Sequence, residues 1–160
     1  MEYITPFLPL IGVIIGGIIT GVVTSNVQKK AFERQRVWDK EKMEEQFNRE
    51  QLMKKLEVYT KLLRVNGDVK ITDFDMYTGE WSFNHEPYEL KVKPILFESF
   101  HLLSPKIAEC TQEIENLLSK WDAMEAADEG EADYACSQYK KIVSEITNEL
   151  DQFRKRHEIK

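Results

Sequence analysis

Residues 104–124 read SPKIAECTQEIENLLSKWDAM. Serine before proline is a helix start, because the hydroxyl can accept a first-turn N–H and proline fits a position that needs no donor. Behind it Ile107, Cys110, Ile114, Leu117, Trp121 and Met124 recur at steps of three and four. That period puts them on one side of an α-helix, and such a side must be buried against other elements. The segment therefore predicts a helical bundle.

Moving toward the C-terminus, residues 127–132 include Gly130 and read as a turn. A second amphipathic helix follows from about Asp133, with Cys136, Tyr139, Ile142, Val143, Ile146, Leu150 and Phe153 on one face. Arg154, Lys155 and Arg156 suit its negative dipole end. A short connection predicts antiparallel packing, with Leu117 and Trp121 buried against Ile146 and Leu150. Toward the N-terminus, residues 88–103 predict one more helix, with Val92, Ile95, Leu96, Phe100 and Leu103 on one side. Pro94 marks its true first turn or a kink.

Residues 68–87 have no helical period but carry Ile71, Phe74, Met76, Tyr77, Trp81 and Phe83 among acids. The run Tyr77-Thr78-Gly79-Glu80-Trp81 hints at a short hairpin. Apolar residues without a periodic face either fold back or stand out for recognition. Capping of the core by Trp81 and Phe83 is the favoured expectation. The other is a partner-binding loop of Phe74, Tyr77, Trp81 and Phe83.

Residues 26–65 contain no Gly or Pro. Lys40 with Glu44, Glu45 with Arg49, Glu50 with Lys54 and Glu57 with Lys61 form helical-spacing pairs. Large apolar residues are sparse over 33–51, then Leu52, Leu56, Tyr59 and Leu63 form a seam. Asn66-Gly67 is expected to end this helix through a left-handed cap.

Between Glu2 and Lys29 lie twenty-six consecutive uncharged residues, densest in apolar side chains over 7–23. As a helix this stretch exceeds a hydrocarbon thickness of about 30 Å. It lacks the positive start and the Ala-x-Ala site of a cleaved signal peptide, so an uncleaved anchor is expected. Lys29, Lys30, Arg34, Arg36, Lys40 and Lys42 follow it and no Lys or Arg precedes it. The positive flank stays in the cytosol, which gives the N-terminus outside and the C-terminus cytosolic. Gly12, Gly16, Gly17, Thr20 and Gly21 recur along the span at spacings that let helix backbones approach, and they are the candidate helix–helix association residues of a homo-oligomer.

The net charge of −6 is unevenly spread: residues 29–65 hold eleven Lys or Arg against seven Asp or Glu, a net of +4, and residues 66–160 eleven against twenty, a net of −9. Displacing phosphate counterions needs clustered positive charge, so nucleic acid is excluded as a partner of the distal part. Cys110 and Cys136 lack any CxxC or Cys/His spacing and read as buried thiols. His85 and Glu86 with Asp73 and Asp75 form the one polar cluster near aromatics, at spacings that fit no metal-ligand pattern. His101 reads as a packed helix histidine. No nucleophile motif or phosphate-binding loop is legible, so no catalytic residue, metal or cofactor is assigned.

The expected fold is all-α: one N-terminal transmembrane helix continuing into a long stalk helix, then a small antiparallel helical bundle. Residues 1–28 are the transmembrane anchor, 29–51 the juxtamembrane helical stalk, and 52–160 the cytosolic bundle with an aromatic loop at 68–87. The expected function is that of a non-enzymatic adaptor or scaffold at the cytosolic face of the membrane. Its partners are the lipid bilayer, further copies of itself and a cytosolic protein. The alternative is an oligomerising effector that disturbs the bilayer when signalled, as in phage-conflict systems. The orientation is checked by fusing alkaline phosphatase after Lys160, which should stay inactive, whereas activity outside the membrane would reverse it.

Overall fold

The computed structural model describes residues 8–77, 79–124, 128 and 130–156, and the side chains of residues 8–22 and Asn26 lie outside that description. The chain is mostly helical: α1 (Leu8–Asp68), a hairpin of β1 (Thr72–Phe74) and β2 (Trp81–Phe83), α2 (His85–Pro87), α3 (Lys93–Glu98), α4 (Pro105–Met124) and α5 (Glu131–Arg156). It divides into two units, residues 1–49 and residues 50–160. Among the described residues no helix is long and apolar enough to cross a membrane. Of the anchor expected at 1–28, residues 1–7 and the side chains of 8–22 and Asn26 lie outside the described residues.

In the second unit α4 and α5 run antiparallel. Lys106 at the start of α4 pairs with Glu145 at 2.7 Å, and Lys120 near its end pairs with Glu131 in the first turn of α5 at 2.6 Å. Ile107, Cys110, Ile114 and Leu118 meet Tyr139, Ile142 and Ile146 in the core. The expected register of α4 is corrected at one position: Leu118 is buried and Leu117 is half-buried. The centre of the buried stripe runs through Ile107, Thr111, Ile114 and Leu118, at steps of four, three and four. Thr111 fits there because its hydroxyl donates to the Ile107 carbonyl at 2.8 Å, which removes the cost of burying it. Trp121 and Leu150 pack at the core's edge.

The last turns of α1 join this core through Tyr59 and Leu62, while Leu56 and Leu63 are half-buried and Leu52 is exposed. Tyr59 donates to Glu149 of α5 at 3.1 Å, and Lys55 pairs with the same carboxylate at 2.6 Å. Asn66-Gly67 does not end the helix: Gly67 is not among the glycines at positive φ, and the helix runs to Asp68. The Val69 N–H still donates to the Val65 carbonyl at 3.0 Å, so the helical pattern outlasts the glycine.

The helix expected over 88–103 is broken up. A π turn, Tyr88–Val92, precedes α3, and a 3-10 turn, Phe100–Leu102, follows it. Pro94 sits in the first turn of α3, where it has no N–H to offer a carbonyl four residues back. The wider turn closes instead with the Lys93 N–H donating to the Tyr88 carbonyl. Tyr88, Val92, Ile95 and Leu96 are thereby all buried, whereas Phe100 and Leu103 are half-buried and His101 is exposed in the 3-10 turn. Lys93 bridges Glu89 and Glu115 at 2.7 Å each, and the Tyr88 hydroxyl donates to Glu115 at 3.2 Å, which fastens this segment to α4.

Truncating Leu118 to Ala should cost roughly 2 to 5 kcal/mol, and truncating Leu117 roughly 1 kcal/mol. Chemical denaturation of the two variants checks this, and the reverse order would refute the register.

Candidate functional site

The hairpin pairs Thr72 with Phe83, Asp73 with Ser82 and Phe74 with Trp81. Its turn is closed by the Asp75 N–H donating to Glu80 and the Gly79 N–H donating to Asp75, at 3.0 and 2.8 Å. Gly79 stands at φ +75, a conformation that a side chain would strain. Asp75 also accepts the Tyr77 N–H at 2.7 Å, which ties Tyr77 to the start of the turn.

The four aromatics expected as one loop surface separate into a base and a tip. Phe83 points into the bundle, its ring centre 5.3 Å from Tyr88, 6.3 Å from Trp121 and 6.5 Å from Tyr139. The Trp81 ring centre lies 4.9 Å from that of Phe74, the two planes tilted by 45°, and it carries the Lys140 ammonium over its face. Its backbone N–H donates to the Asp133 carboxylate at 3.0 Å, so the outer edge of β2 is capped by α5. Tyr77 is fully exposed, Met76 is 89% exposed and Phe74 is also exposed. Asp133 and Lys140, which hold the base, lie on the polar side of α5, where nothing in the sequence distinguishes them from an ordinary solvated face.

Beside Trp81 an open groove of about 470 Å³ runs along α5, lined by Lys106, Ser137, Lys140, Ser144 and Glu145 among others. Its charges are mixed, and Lys106 is already paired with Glu145. Among the described residues no group of His, Cys, Asp or Glu could hold a metal ion. Of the polar cluster considered above, Asp73 sits 3.6 Å from Lys70, and the His85 ring lies 3.5 Å from Glu89, one turn along. Cys110 and Cys136 are free and buried, and burial pushes both thiols up. The association residues Gly12, Gly16, Gly17, Thr20 and Gly21 lie outside the side chains that are described.

The corner between α4 and α5 supports the base of the hairpin through Trp121. The indole that flanks Phe83 donates to Glu131 at 2.7 Å, and the same carboxylate accepts from the Asp128 N–H at 3.0 Å. Lys120 joins both acids, Asp128 at 2.5 Å and Glu131 at 2.6 Å. Gly130 takes φ +82 within this corner. The donors, Lys120 first, hold the Glu131 carboxyl well down, from 4.5 to about 2.

No protein-family model, curated protein or solved structure matches this chain.

Because the folded state depresses the Glu131 carboxyl, the contribution is complete above the unfolded value and is lost as pH falls through the folded one. The difference in Tm between wild type and Glu131→Gln should therefore shrink as pH drops from 4.5 to about 2. A difference that stays constant across that range would remove Glu131 from the corner.

Proposed function

We propose that this protein is a membrane-tethered, non-enzymatic adaptor whose folded unit offers the hairpin tip to a cytosolic protein. The observation that carries the proposal is the contrast along the hairpin: Phe83 is held among three rings, whereas Met76 and Tyr77 stand exposed at the other end. An exposed apolar tip on a fixed base loses little conformational freedom when a partner covers it. Aromatic anchors of this kind dominate binding energy in protein interfaces. Asp73, Asp75 and Glu80 flank the tip, so the complementary surface is an apolar pocket with a basic rim.

The apolar run over 7–23 and the positive flank after it support the tether, with the C-terminal unit in the cytosol. An oligomerising effector that disturbs the bilayer is the second reading, favoured by the glycine-rich pattern of that run.

The full chain, solubilised from membranes and used as bait, should retain a protein that the Met76→Ala/Tyr77→Ala variant loses. Equal retention by both would discard the hairpin as the recognition element. Dye entry on overexpression, abolished by deleting residues 1–28, together with no specific capture would favour the effector.

A further inference from the structure

The hairpin has two edges, and the rest of the fold closes only one of them. In an antiparallel pair, residues whose main-chain groups bond across the ladder alternate with residues whose groups point away from it. The Asp75 N–H donates to the Glu80 carbonyl and the Asn84 N–H to that of Ile71, so Asp73 and Ser82, midway between these pairs, also bond inward. Thr72 and Phe74 on β1, like Trp81 and Phe83 on β2, therefore turn their main-chain groups outward. On β2 the outward Trp81 N–H is taken by Asp133 of α5. On β1 the outward Phe74 N–H reaches only the carboxylate of its neighbour Asp73, at 3.1 Å. Among the described residues no backbone group of another segment bonds to the outward side of Thr72.

The two faces of the hairpin differ as well. Phe74, Trp81 and Phe83 share the face turned to the bundle, while Asp73 and Ser82, with Asp75 and Glu80 beyond them, share the other and are exposed. Lys70 is the one lysine or arginine over 68–87, and it lies 3.6 Å from Asp73 with both side chains largely in solvent. An exposed pair of this kind is worth little and exchanges readily. Asp73 thus places a carboxylate on an open edge, next to the exposed ring of Phe74.

We propose that the β1 edge, Thr72–Phe74, takes up an extended, basic segment of a partner protein as a third strand. Thr72 and Phe74 each give that segment an N–H and a carbonyl. Asp73 yields the Phe74 N–H to a partner carbonyl and faces a lysine or arginine of the added strand, whose neighbouring side chains, on the other face, are apolar and lie beside Phe74. Charge disfavours a second copy as the occupant: two β1 edges in antiparallel register set Asp73 opposite Asp73. That the hairpin docks a protein at all rests on the adaptor reading, and the mode of docking rests on the edge.

The test titrates the full chain, solubilised from membranes, into a dye-labelled peptide of alternating lysine and valine, read by fluorescence anisotropy, with a peptide of alternating glutamate and valine as control. The lysine peptide should bind roughly tenfold or more tightly than the glutamate peptide. Thr72→Pro removes an outward N–H while sparing the ladder, and should weaken binding roughly tenfold, whereas Thr72→Val should bind as wild type does. In wild type the lysine peptide should slow hydrogen exchange at the Thr72 and Phe74 amides several-fold, a readout that does not depend on the proline variant folding. Equal binding of the two peptides, no binding of either, or unchanged exchange at both amides would each overturn the edge, as would a folded proline variant that binds like wild type. Protection of these amides that rises with the chain's own concentration, without peptide, would overturn it in favour of a second copy. Met76→Ala/Tyr77→Ala should leave peptide binding unchanged. Capture by the bait reads the adaptor and peptide binding reads the edge, so the two fail separately.

Discussion

The contact on which the folded unit depends is the ring of Phe83 against Tyr88, Trp121 and Tyr139. Those residues come from β2, the π turn, α4 and α5, so one side chain joins the hairpin to three separate helical segments. Two three-residue strands cannot hold together in water unaided. Here the strand that bears Phe83 is also pinned by Asp133 at the Trp81 N–H, and the hairpin acquires its order from the bundle. The bundle in turn gains a large apolar ring at a place where its helices alone would leave aromatic edges open.

Polar chemistry then decides how this core closes. Of the three fully buried tyrosines, Tyr59 and Tyr88 each reach a carboxylate, Glu149 and Glu115, and each carboxylate is also held by a lysine, Lys55 and Lys93. The carboxylates serve a structural end: they satisfy a buried hydroxyl on one side and a solvent-side cation on the other. Burial raises Tyr88 and Tyr139 above the ordinary tyrosine range, so both stay neutral in the core. The distal acidity visible in the sequence is thus partly consumed inside the fold, and what remains outside gathers in part at the hairpin.

The sequence disclosed the helical pair α4 and α5 because its apolar period is strong. It misassigned the centre of α4 because Thr111 counts as polar until its bond to the Ile107 carbonyl is seen, and because Leu117 and Leu118 are adjacent and chemically identical. The π turn was illegible for a different reason: Pro94 announces a disturbance, but whether the helix kinks, starts or widens depends on which carbonyl the Lys93 N–H finds. The hairpin was readable only as a hint, since three-residue strands show no useful alternation. All four aromatics of the candidate site could be named from composition. Their division into a half-buried base and an exposed tip follows in part from Asp133 and Lys140, two residues of α5 with no pattern to betray them.

The long helix poses the opposite problem, because its apolar side chains are easy to see and their arrangement is not. Over residues 27–47 Val27, Phe32, Val37, Trp38, Met43 and Phe47 are spread around the axis and exposed, so no single apolar stripe marks a buried side. A helix that is partly apolar on both sides and fully exposed on both is costly in water unless something covers each side. The Lys40–Glu44 pair spans 3.8 Å with both side chains mostly in solvent, so it adds little to the helix by itself.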